Sequence, residues 1–228
     1  MDIDNIRKIG TELKETYKLK TSPVAVKLVS STQEIPEGIE RIQEPTRHCQ
    51  MIDNVRQTGT SFYTLVEDQK CKGGASVMGL REMDEKLAKG EVYYKLGAFE
   101  TSNAARRTMQ KVPRVPANSV KAVIYEPLEK AEFIPDVVVL IGTPKQMMQI
   151  SQSLLYKQGG RINADFAGKQ SLCADGVAEP YMSGQACVTV GCGGSRKHTQ
   201  INEDEMAMGI PLEQFEDLAD SAEKMFGK

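Results

Sequence analysis

Apolar positions recur along this chain with two different periods. Ile3, Ile6, Ile9, Leu13 and Tyr17 fall on one stripe at helical spacing, and Asp2 and Asp4 stand where a helix N-terminus favours negative charge. The pattern predicts an amphipathic helix over residues 2–18. Val24–Val29 follows Pro23, is apolar and β-branched, and predicts a strand; 61–66, 120–125, 137–141 and 186–190 read the same way. Helices are expected at 46–56 between Pro45 and Gly59, at 102–111 closed by Pro113, and from Pro144 to about Tyr156, broken by Gly159 and Gly160. Lys72–Ser76 reads as a loop opening another helix. Pro211 is expected at the first position of a last helix striped by Leu212, Phe215, Leu218, Ala219, Ala222 and Met225. The expected fold class is α/β, of mixed α+β type, in a single compact domain spanning 1–228.

The order of features recurs. Ala25–Leu28 leads to Ile35-Pro36, Pro45 and Cys49; Ala122–Tyr125 leads to Ile134-Pro135, Pro144 and later Cys173. After Cys49 come a helical stretch, Gly59, a strand and Cys71-Lys-Gly-Gly. After Cys173 come a similar stretch, Gly184, a strand and Cys192-Gly-Gly-Ser. This order implies an internal duplication: two pseudo-repeated α/β lobes sharing one core, with halves of approximately 1–100 and 101–228, each supplying a pair of cysteines. The second half carries an insertion from about Ser151 to Ser171.

Composition narrows the classes. With 40% apolar and 26% charged residues, the 228-residue chain is ordinary for a globular protein. A net charge of -2 argues against a nucleic-acid coat, which needs a basic excess. The longest apolar run, Val137–Ile141, is too short to span a bilayer, so no membrane association is expected. The N-terminus lacks the basic and apolar regions of a secretory signal, so the expected location is cytoplasmic. Thiols stay reduced there, and the odd count of five cysteines also argues against a disulfide framework.

Four of those cysteines sit beside turn or helix-start signals. Cys49 follows Pro45-Thr-Arg-His48, Cys71 precedes Lys72-Gly73-Gly74, Cys173 precedes Ala174-Asp175-Gly176, and Cys192 lies in Gly191-Cys-Gly-Gly194. Glycine-rich backbone leaves N–H groups free to face an anionic sulfur or ligand. Four thiolates from four such segments suit an iron–sulfur cluster or a zinc ion. The alternative is a set of buried structural thiols; no Cys-x-x-Cys is present, so the spacing matches no standard metal motif. Cys187, within Ala186–Val190, reads as a packing residue of a strand. Gly73, Gly74, Gly193, Gly194 and Arg196 are the residues expected to hold a cofactor or small anionic ligand, although no P-loop pattern is formed. The two histidines, His48 and His198, adjoin the cysteine motifs and could tune a thiolate, ligate a metal or move a proton; His198 also reads as a solvated loop residue. Arg106, Arg107, Lys111 and Arg114 read as a solvated helix face or an anion-facing patch.

The whole-chain pattern resembles the domain of unknown function 169 family, a group found largely in archaea and anaerobic bacteria. The resemblance rests on Cys71-Lys-Gly-Gly-Ala with Gly79-Leu80, Gly90-Glu-Val-Tyr93 running into Ser102-Asn-Ala-Ala-Arg106, Val112-Pro-Arg-Val-Pro116, and Gly191-Cys-Gly-Gly-Ser-Arg196 with Gly209-Ile-Pro211. It implies no reaction, only an anaerobic context, which favours iron over zinc. The expectation is therefore a four-iron cluster on Cys49, Cys71, Cys173 and Cys192. It would serve electron transfer with a redox partner protein or reductive chemistry on a small anionic ligand. The competing expectations are a metal-free binding module and a thiol enzyme using Cys49 or Cys192.

Overall fold

The computed structural model describes residues 1–164 and 166–227. Its helices are α1 (Ile3–Thr16), α2 (His48–Thr58), α3 (Lys72–Val77), α4 (Glu85–Ala88), α5 (Glu91–Lys95), α6 (Ser102–Gln110), α7 (Pro144–Leu155), α8 (Ser171–Cys173), α9 (Glu179–Ser183), α10 (Gly193–His198) and α11 (Phe215–Phe226). The strands are β1 (Val24–Val29), β2 (Phe62–Thr64), β3 (Ala122–Pro127), β4 (Val137–Gly142), β5 (Asn163–Ala164), β6 (Cys187–Thr189) and β7 (Met206–Pro211). They form one seven-stranded sheet in the order β2-β3-β1-β4-β7-β6-β5, antiparallel except at the β5–β6 edge. The mixed α/β class is as the alternating pattern requires.

The sheet is covered on both faces, which is why β1, β3 and β4 read as nearly continuous apolar runs. On one face Ala25, Val29, Ile124, Val138, Leu140, Met208 and Ile210 meet the stripes of α1, α7 and α11. On the other, Val24, Val26, Tyr125, Val137, Val139 and Ala207 meet Met51, Ile52 and Val55 of α2 and the segment Leu172–Ala178. Each fully buried aliphatic side chain here contributes about 1.5–3 kcal/mol relative to an exposed one.

Two lobes divided near residue 100 are not found. The second-half strand β3 lies between β2 and β1, so the sheet runs unbroken through the expected boundary. A recurrence exists in the strand pairing instead, and it relates β1 to β4 rather than to β3. Val24 pairs with Pro127 of β3 on one side, and Val137 pairs with Pro211 of β7 on the other. Phe62 of β2 faces Tyr125, and Cys187 of β6 faces Gly209. The Leu128 N–H donates to the Pro23 carbonyl, and the Leu212 N–H donates to that of Asp136. Helix α2 ends at Gly59 with its N–H on Val55, as α9 ends at Gly184 with its N–H on Pro180. The stretch from Cys173 to Gly184 is one residue longer than that from Cys49 to Gly59, and a π-helical turn at Ala174–Ala178 takes up the surplus.

Pro211 closes β7 and does not open the last helix, which begins at Phe215 after a 3₁₀ turn. As a strand's last residue it needs no ladder N–H, the same solution Pro127 gives β3. Gly209, beneath the π-helical turn, is required by close approach: a Cβ there would stand 2.0 Å from the Gly176 carbonyl oxygen. Gly209→Ala should therefore lower unfolding free energy by at least about 3 kcal/mol, or leave the protein insoluble. Chemical denaturation checks this, and a near-neutral result would contradict the contact.

Candidate functional site

The sheet face under α2 carries the site. Cys49 stands in the first turn of α2, Cys71 and Cys192 are the N-caps of α3 and α10, and Cys173 ends α8 at the π-helical turn. Helix α10 packs on α2 while α3 packs on the π-helical turn, so each element of one pairing unit meets an element of the other. The join beside α10 is made by buried charge. Arg56 of α2 donates to Asp53 at 2.8 Å and to the Gln200 carbonyl, Asp53 accepts from the Gln200 N–H at 2.7 Å, and Glu205 accepts from Asn202. A paired, hydrogen-bonded network of this kind fixes geometry, and removing one partner would strand a buried charge.

Cys49, Cys71, Cys173 and Cys192 all line one cavity of about 250 Å³. A Cβ built on Gly74 would lie 3.6 Å from Cys71 Sγ and 3.9 Å from Cys173 Sγ, so these sulfurs flank one small space that glycine keeps open. Arg47, His48, Tyr93, Lys169, Gln170, Gly193, Gly194 and His198 are also among the lining residues. Among the described residues no group of three or more His, Cys, Asp or Glu side chains meets the geometry for holding a metal ion.

The sulfurs differ electrostatically. Burial pushes the Cys49 thiol up to about 12, helped by the neighbouring Cys192 and Cys71, and burial raises the Cys173 thiol as well. At Cys192 burial acts in the same direction, yet the net shift is downward. The backbone N–H groups of Ser195, Ser171 and Gly194 and the Ser195 hydroxyl hydrogen-bond the sulfur and favour the thiolate. The Ser195 N–H stands 3.4 Å from Cys192 Sγ, and the Gly74 N–H makes the matching contact to Cys71 Sγ at 3.3 Å.

Gly191 allows the turn into Cys192: its φ of +84° is a left-handed value, and a Cβ there would press on the Ser195 hydroxyl at 2.9 Å. His48 is buried at 2% exposure, with Nδ1 2.8 Å from the Tyr125 hydroxyl, and burial lowers its pKa to about 4. Its Nε2 has no hydrogen-bond partner.

Of the five residues expected to hold a ligand, Gly74, Gly193 and Gly194 line the cavity. Gly73 and Arg196 do not. A side chain at Gly73 would strike Gln170, whose amide nitrogen would stand 2.4 Å from its Cβ. The Arg196 guanidinium donates to the carbonyls of Val190, Asn202 and Glu205, so it clamps its own loop instead of meeting an anion. His198 is half-buried on the cavity wall, not free in solvent. Arg106 and Arg107 are exposed on α6, while Arg114 donates to the Met109 carbonyl. Cys187 is buried on β6, away from the cavity lining. Sequence patterns gave no sign of Lys169 or Gln170, and Tyr93 entered only within the Gly90–Tyr93 run of the family resemblance, with no role at the site. Lys169 Nζ stands 5.7 Å from the Tyr93 ring centroid and 5.8 Å from that of Phe99.

The profile of a family described as uncharacterised ArCR proteins, the domain of unknown function 169, matches residues 12–221. An uncharacterised protein of Methanocaldococcus jannaschii is 42% identical over 224 residues, covering 98% of this chain and 96% of the relative. No solved structure matches. No helix among the described residues is long and apolar enough to cross a membrane.

The sulfur electrostatics make a testable order of reactivity. In metal-free protein iodoacetamide should label Cys192 first, with a rate that rises at lower pH than for an ordinary thiol of about 8.5. Cys49 should react only at strongly alkaline pH, and Cys173 should be slow throughout. Timed peptide mapping measures this, and equal rates at the three sites would refute the assignment.

Proposed function

We propose that this chain, which belongs to the family of uncharacterised ArCR proteins, holds an iron–sulfur cluster of the four-iron type on Cys49, Cys71, Cys173 and Cys192 and passes electrons through it. The observation that carries the reading is the convergence of four cysteines, distant in sequence, on one cavity. Burying four thiolates together is costly unless cationic metal offsets their charge. The N–H groups on Cys71 and Cys192 are the kind of donors that hold cluster sulfurs and tune potential.

Iron and zinc differ in the spacing they need. Around one zinc ion, thiolates at Zn–S bonds of about 2.3 Å sit roughly 4 Å apart, as a closed tetrahedron. A cluster binds each thiolate through a different iron and needs a wider ring. The four cysteines line one cavity, and iron, sulfide and zinc content decides between the two. Arg47, Lys169 and His198 also line the cavity, and they would face a small anionic ligand or the acidic surface of a redox partner.

The lowered pKa of Cys192 favours a second reading, a thiol enzyme with that residue as nucleophile. Anaerobic purification separates the two. The expected result is a brown protein with about four iron and four sulfide per chain, bleached by dithionite. Serine at any one of the four cysteines should lower iron content, whereas Cys187→Ser should leave it unchanged. A colourless, metal-free protein with a fast-reacting Cys192 would replace the cluster reading with the thiol one, and stoichiometric zinc would replace iron.

A further inference from the structure

Tyr125 lies against His48 and can set which ring nitrogen carries the proton. Gln69 and Thr64 stand beside the Tyr125 hydroxyl. The Gln69 amide donates to Thr64 Oγ1 at 3.0 Å and to Met51 Sδ at 3.5 Å. The Tyr125 hydroxyl is 2.8 Å from His48 Nδ1, a typical O–H···N length. With the phenol donating there, Nδ1 is the acceptor and the ring proton sits on Nε2.

That Nε2–H is buried, belongs to a residue lining the cysteine cavity, and has no partner in hydrogen-bond geometry. The Leu172 carbonyl lies near enough to favour ring protonation, yet it does not complete a bond to Nε2. An unsatisfied buried donor is costly, and this one is met when an acceptor occupies the cavity.

We infer that His48 is a positioning residue whose Nε2–H, fixed by Tyr125, donates to a sulfur of the cluster and raises its reduction potential. This rests on the cluster reading above. A hydrogen bond to sulfur is stronger when the cluster carries the added electron, so it favours the reduced state. The pairing units differ at this point: where β3 has Tyr125, β7 has Gly209, so no second phenol supports the other side.

The test uses the full chain, purified anaerobically, with potentials from a spectroscopic redox titration. His48→Leu should keep four iron and show a lower midpoint potential than the wild type. His48→Gln, which retains an amide N–H near the place of Nε2, should recover most of that shift. Tyr125→Phe should lower the potential in the same direction by less, and it gives the readout if His48→Leu does not fold. A wild type without iron overturns both the cluster reading and this inference. A wild type with iron and potentials unmoved in His48→Leu or Tyr125→Phe overturns the inference alone.

Discussion

The antiparallel pairing of β1 with β4 is the contact on which the rest depends. It joins Val24 to Val139 and Val26 to Val137 at the centre of the sheet, with both faces buried. Side chains alternate across a strand, so a slip of one residue would turn every valine to the wrong layer. The register is therefore held from both sides at once. It sets β3 and β2 beyond β1, and β7 and β6 beyond β4, and so places α2 and the bulged α8–α9 segment side by side on one face. The short cysteine-capped helices then reach across to the opposite partner. Cysteines separated by most of the chain meet because one central strand pair fixes where four helix starts lie.

Local sequence made some of this legible and hid the rest for definite reasons. β1 and β4 were readable because both of their faces are buried and their residues, Lys27 aside, are apolar or glycine. β7 was not: Met206–Pro211 carries a glycine and a proline, and the proline is followed by an amphipathic stripe, which is the signature of a helix start. The stretch from Cys173 to Gly184 read as helical only by its likeness to that from Cys49 to Gly59, because Gly176 and Pro180 interrupt the pattern that the π-helical turn carries through. The four cysteines stood out through their glycine-rich neighbours. Lys169 and Gln170 belong to no motif, and they line the cavity only through tertiary packing. Arg196 misled in the other direction, since a cation after a glycine pair reads as an anion binder until its carbonyl partners are seen.

The two pairing units also show where related geometry has been put to different uses. At the β3 position facing Phe62, a large phenol fills the space under α2 and reaches His48. At the β7 position facing Cys187, glycine lets the π-helical turn press onto the strand. One helix lies over an aromatic side chain and carries a buried imidazole; the other approaches a strand glycine closely and carries an inserted residue. Cys49 and Cys173 thus stand at corresponding places with unlike surroundings, which is consistent with both being deeply perturbed thiols while only one has a histidine beside it.

Four thiols around one cavity, Cys173 buried and the other three half-buried, need no metal if all of them stay protonated, and that bland state sets the standard any function must exceed. The surroundings do not suit it. A neutral thiol is a poor hydrogen-bond acceptor and gains little from backbone N–H groups, yet Cys71 and Cys192 each cap a helix with an N–H directed at sulfur. Gly74 leaves open the space between two of the sulfurs, where a larger residue would have sealed a packed core. Burial presses Cys49 and Cys173 towards the neutral form while the N–H donors press Cys192 towards the anion. Thiols held in such opposed conditions around a shared opening are reconciled when a cationic centre binds them all as thiolates, because the centre offsets the charge that burial resists and accepts the geometry that the helix starts impose.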